Sequence, residues 1–186
     1  MSILRACLAA LLGVMLGANV LAQNGGSSTM LDTLFAKLQT ATDPMAVQSL
    51  EAAIWEQWIM VPEGQQRELM MRGIAEMQQR QLKGSLETFT KLIEIAPDLS
   101  EAWNKRATAH WLLGNFTASL SDICETVKRE PRHFGALSGM GFILEREGLD
   151  KRALEIFRHV LTIYPGLPDI KKIVDKLAPQ VEGRDI

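Results

Sequence analysis

Apolar positions along this chain fall into short helical stripes, and the stripes themselves recur. Between residues 66 and 167 they come in pairs: one stripe, a break, a second stripe, then a proline. Pro97, Pro131 and Pro165 stand 34 residues apart. The same interval relates Leu69, Trp103 and Leu137, the small residues Gly73, Ala107 and Gly141, and the trio Ser85, Ser119 and Ala153. It also relates Leu86, Leu120 and Leu154, and the bulky Phe89, Ile123 and Phe157. Apolar residues spaced by three and four lie on one face of a helix. Independent columns agreeing at one such period indicate a solenoid of stacked units. Each unit is predicted as two helices, with small residues where they approach closely and the Phe/Ile column filling the space beside them. In the central unit, 100–133, Leu113-Gly114-Asn115 makes the break, because Gly and Asn can take the left-handed conformation that ends a helix. Proline closes the second helix, since it has no N–H to donate. Asp98 and Glu101 are spaced as a capping box, with Ser100 as the alternative cap.

The flanks carry stripes without the small-residue columns. Leu31, Leu34, Phe35 and Leu38 share one helical face, and Asp43-Pro44 opens a second helix with Asp as cap and Pro at its first position. Val47, Leu50, Ile54, Trp58 and Val61 form its stripe, with Trp55 a little to one side. Residues 30–65 are therefore expected as a degenerate hairpin covering the first full unit, 66–99. The third unit, 134–167, precedes a short helix at 168–178 whose apolar side is Ile170, Ile173, Val174 and Leu177. A terminal helix with one polar face hides the last apolar surface of an open array. Residues 179–186 are expected to be a tail, and 23–29, rich in Gly and Ser, a linker.

Composition adds a compartment. Residues 1–22 have Arg5 near the start, an apolar run from Ala6 to Ala18 and small residues ending at Ala22. That is the pattern of a cleaved secretory signal, and the run is shorter than a membrane span needs. The expected location is periplasmic or secreted. Loss of Arg5 moves the net charge from −2 to −3, which gives no pull toward nucleic acid or anionic membrane. Cys124 would be the one cysteine left, expected as a small buried residue.

Chemistry-bearing clusters are missing from the sequence. His110, His133 and His159 occupy different repeat positions without Cys or carboxylates at metal-ligand spacing. Ser138-Gly139-Met140-Gly141 has no strand before it and lies inside a predicted helix, so it is no nucleophile turn. No catalytic residue, metal or cofactor is expected.

The repeat resembles the tetratricopeptide repeat (TPR) over residues 66–167. In the middle unit the family hallmarks correspond to Trp103, Ala107, Ser119, Ile123 and Pro131. Departures are Glu76, His110 and Leu144 where a tyrosine is usual, and Arg72, Arg106 and Met140 where a leucine is usual. The resemblance implies an all-α, right-handed superhelical solenoid of antiparallel helix pairs with a C-terminal capping helix. It also implies a concave groove lined by the first helix of each unit. Met70, Ile74 and Met77 would come from the first unit, Asn104, Lys105, Thr108 and Trp111 from the second, and Ser138, Phe142 and Arg146 from the third. The expected function is a non-catalytic adaptor or scaffold of a bacterial-type cell envelope, holding a protein or peptide segment in that groove. Homo-oligomeric scaffolding and chaperoning of envelope proteins are the alternatives. The Met70, Ile74 and Met77 stripe also fits a groove filled by the chain's own hairpin, or a self-association surface.

Overall fold

The computed structural model describes residues 29–61 and 63–183. The expected signal peptide, nearly all of the linker and the last three residues lie outside them. Among the described residues the secondary structure is entirely helical, consistent with a TPR helical-repeat solenoid. The helices are α1 (Met30–Thr40), α2 (Pro44–Ile59), α3 (Gln65–Gln78), α4 (Leu82–Ile95), α5 (Ser100–Leu112), α6 (Phe116–Arg129), α7 (Phe134–Arg146), α8 (Asp150–Ile163) and α9 (Pro168–Glu182). None of them is long and apolar enough to cross a membrane.

The 34-residue period reappears as backbone geometry. Each turn within a repeat has one residue with positive φ: Arg80 at 60°, Gly114 at 77° and Gly148 at 72°. The next N–H then bonds back five residues: Gln81 to Glu76, Asn115 to His110 and Leu149 to Leu144, at 2.8–2.9 Å. This closes orphan carbonyls at the helix end. Gly takes this backbone at no steric cost, whereas Arg80 holds it at a cost of about 1 kcal/mol. The second-helix serines repeat as well. Ser85 Oγ donates to the Gly73 carbonyl at 3.1 Å, and Ser119 Oγ to the Ala107 carbonyl at 2.9 Å.

The contacts divide the described chain into two units. One comprises residues 58–131, with α3–α6; the other comprises 29–57 together with 132–183 of the C-terminal part. In the first unit, Val61, Met70, Phe89, Leu92, Ile93 and Ala102 make one core cluster. Trp103 packs against this cluster, partly buried. Its indole N–H donates to the Pro97 carbonyl at 2.9 Å, and the guanidinium groups of Arg106 and Arg129 stand 5.1 and 4.9 Å from its ring.

The second unit takes most of the hairpin that was expected to cover repeat 66–99, while Val61 at the hairpin's end joins the core cluster of the first unit. Residues 29–57 group with α7–α9 instead. Asp32 pairs with Arg132 at 2.7 Å, Phe35 meets the Phe134 ring edge-on, and Tyr164 donates to Glu51. These are side-chain matches within the second unit.

Two local expectations also change. The capping box forms at Thr29 and Asp32 and not at Asp98–Glu101; α5 starts after Leu99 with no side-chain cap. The last helix runs through Pro179 to Glu182, past the expected end at residue 178. Glu182 pairs there with Arg158 of α8 at 2.7 Å, an anchor beyond the proline. Cys124 is buried, as expected.

Candidate functional site

The residues expected to line a groove separate by burial and by unit. On α3, Met70 is fully buried in the core cluster, and Ile74 and Met77 pack against the same cluster half-buried. Their helical spacing therefore reports core packing. Met70 offers no surface to a partner, because Val61 from the end of the hairpin and Phe89 and Leu92 from α4 enclose it. Exposed apolar surface on α3 belongs to Met71, 54% exposed, one residue further on.

On α5 the arrangement differs along the helix. Asn104 is buried, and its amide donates to Glu101 at 2.9 Å. Glu101, itself fully buried, pairs with Lys105 at 3.0 Å. A buried carboxylate needs such a partner, since an unpaired charge costs several kcal/mol. Asn104 and Lys105 thus act on Glu101, one turn of helix away. Thr108 lies further along at the surface, its hydroxyl donating to the Asn104 carbonyl. The helix ends in an apolar group: Trp111 half-buried, Leu112 at 52% exposure and Leu113 at 36%. Trp111 is held edge-on to Phe116 of the next helix, with ring centroids 5.0 Å apart.

The α7 residues belong to the second unit. Ser138 is half-buried, and its hydroxyl donates to the Phe134 carbonyl at 2.7 Å. Phe142 is half-buried edge-on to Phe157 at 5.3 Å, and Arg146 is exposed. Neither Ser138 nor Phe142 protrudes as Leu112 does.

The departures from the tetratricopeptide pattern have local explanations. At the usual leucine position, Arg106 makes two 2.8 Å hydrogen bonds to the Asp122 carboxylate and one of 3.1 Å to Thr90. At the usual tyrosine position, burial pushes the Glu76 carboxyl up. Hydrogen bonds from Thr88 and Arg72 outweigh that and hold it below its ordinary value. His110 at the equivalent position stands 4.0 Å from Asp122, with its Nδ1 buried and without a hydrogen-bond partner. Burial holds this imidazole below its ordinary value; Asp122 works against that and Arg106 adds to it. Leu144, the third of this column, is simply core.

Among the described residues no group of three or more His, Cys, Asp or Glu could hold a metal ion. His133 is a capping residue that periodicity alone did not find. It is fully buried, and its Nδ1 accepts from the Ala136 N–H at 3.1 Å as the cap of α7. Its signal in the sequence was only its place, just before an apolar helix start.

No family model matches the chain. It is similar to a TPR repeat-containing protein of Rhizobium etli, with 34% identity over 153 residues that cover 82% of this chain and 75% of that protein. It is also similar to the small glutamine-rich tetratricopeptide repeat-containing protein 2 of Saccharomyces cerevisiae, with 26% identity over 96 residues, 52% of this chain and 28% of that protein. With helix pairs recurring every 34 residues, left-handed turns in register and a relative matched along most of its length, the chain belongs to the tetratricopeptide-repeat family.

Proposed function

We propose that this chain is an exported, non-catalytic adaptor of the cell envelope that takes a segment of a partner protein against the C-terminal end of α5. Tetratricopeptide-repeat proteins are protein-interaction modules and generally non-catalytic scaffolds. The observation that carries the site is the apolar end of α5, where Leu112 and Leu113 are exposed beside a Trp111 fixed edge-on to Phe116. A rigid indole flanked by exposed leucines suits an anchor for an apolar side chain, because Trp loses little freedom when it is buried. Thr108 is exposed on the preceding turn and supplies a polar contact. The signal-like pattern at residues 1–22 supports export to the periplasm or beyond.

A photocrosslinking side chain placed at 111 tests the reading in the native host, with the exposed Arg152 position as control. Adducts at 111 and none at 152 are expected, on protein recovered from the envelope or medium with Gln23 as its first residue. Equal labelling at both positions would discard the α5 site. A cytoplasmic product retaining residues 1–22 would discard export without touching the site.

A further inference from the structure

We infer that helix α2 is a built-in ligand of its own unit, and that the start of α7 is a socket for a helix carrying Glu-x-x-x-Trp. The inference stands on the second unit alone and does not rest on the Trp111 reading. Glu51 and Trp55 are four residues apart, so one face of α2 presents both. Trp55 lies edge-on to His133 at 5.6 Å and to Phe134 at 5.4 Å. Its ring presses on the α7 backbone so closely that a Cβ on Gly135 would stand 2.6 Å from it. Glycine has no Cβ to place there. Here it makes the room that the indole occupies.

The other end of the motif has an equally specific receptor. Tyr164, 2% exposed, donates its hydroxyl to Glu51 at 3.0 Å. Burial and the neighbouring carboxylate push that hydroxyl up to about 12, so it remains a donor at every physiological pH. The socket is pre-set without α2. His133 is fixed by the Ala136 N–H, and Phe134 stacks edge-on with Tyr164 at 5.3 Å.

The occupant is lightly held. Of residues 44–57 only Ile54 is buried, and Met45 is 77% exposed. Elements with so little burial open at the low end of the stability range. A free helix with the same Glu-x-x-x-Trp face fits the socket once α2 swings out, so α2 and a partner helix compete.

The probe is a fluorescent peptide of residues 43–57, titrated against the full chain by anisotropy. A Trp55→Ala chain, whose own helix has lost its anchor, should bind it at least ten-fold tighter than the wild type does. Adding Gly135→Ala to that chain should abolish binding, and so should Trp55→Ala in the peptide. Equal affinity for wild type and Trp55→Ala, or indifference to Gly135→Ala, overturns the socket. Should the Trp55→Ala chain fail to fold, Tyr164→Phe decides by amide hydrogen exchange. Faster exchange across 44–57 with α7 and α8 unchanged is expected, and unaltered exchange there refutes the inference.

Discussion

A methyl group on Gly141 would stand 2.4 Å from the Phe157 ring, and one on Gly73 would stand 2.7 Å from Phe89. In the middle repeat the same two columns hold Ala107 and Ile123, both buried. Glycine thus faces phenylalanine, and alanine faces isoleucine. The two columns share one fixed volume between the helices, as close packing requires. Gly141→Ala should therefore destabilise the second unit despite the gain of about 1 kcal/mol that alanine brings to a helix. Overpacking costs about 1–3 kcal/mol, and a fully buried ring at this distance belongs at the upper end, leaving a net loss of about 2 kcal/mol. Adding Phe157→Ile reproduces the middle repeat's pair and should recover more than half of that loss. Urea unfolding of the two singles and the double measures it. Strict additivity would refute a shared volume, since residues in contact are expected to couple.

Between helices, the Arg106 guanidinium ties α5 to α6 through Asp122 and to α4 through Thr90. The side chain of Asp122 is only 6% exposed. Removing the arginine leaves that carboxylate buried without its main partner, which costs about 3 kcal/mol or more where burial is deep. Arg106→Ala should lose that much, and Arg106→Ala with Asp122→Ala should lose less, because no charge is then stranded. A loss under about 1 kcal/mol in urea unfolding would place the pair with ordinary surface ion pairs. This pair was not legible as a contact: the sequence showed only that Arg106 stands where leucine is usual. Repeating features were legible, because each of Gly114, Ser119 and Pro131 is reinforced by its counterparts 34 residues away. Non-repeating ones were not. Asp32–Arg132 and Glu51–Tyr164 join residues about a hundred positions apart, with no second copy to reveal them. Met70 was legible as apolar, but whether its face meets the core or a partner depends on Val61 and Phe89, which spacing does not weigh.

For the whole chain the consequence is that sequence order and cooperative order differ. Residues 29–57 precede the first repeat yet share a unit with residues after 131, while 58–131 form the other. Repeat proteins couple mainly through neighbouring interfaces, and units of this kind open with their own free energies. A destabilising change in one unit should therefore report which helices belong to it. Gly141→Ala, placed on α7, should speed amide exchange in α7–α9 and equally in α1 and the first turns of α2, with α3–α6 less affected. Gly73→Ala, which presses on Phe89 inside the other unit, should speed exchange in α3–α6 and spare α1. The hairpin is the discriminating segment, because sequence position alone assigns it to the neighbour it immediately precedes. If its exchange followed Gly73→Ala, it would cover repeat 66–99 after all, and the contacts of Asp32 with Arg132 and Glu51 with Tyr164 would carry little weight. If it follows Gly141→Ala, those contacts hold it to residues a hundred positions away. The hairpin then forms only after the C-terminal repeat is in place, since docking across so long a separation pays its loop entropy before any contact rewards it.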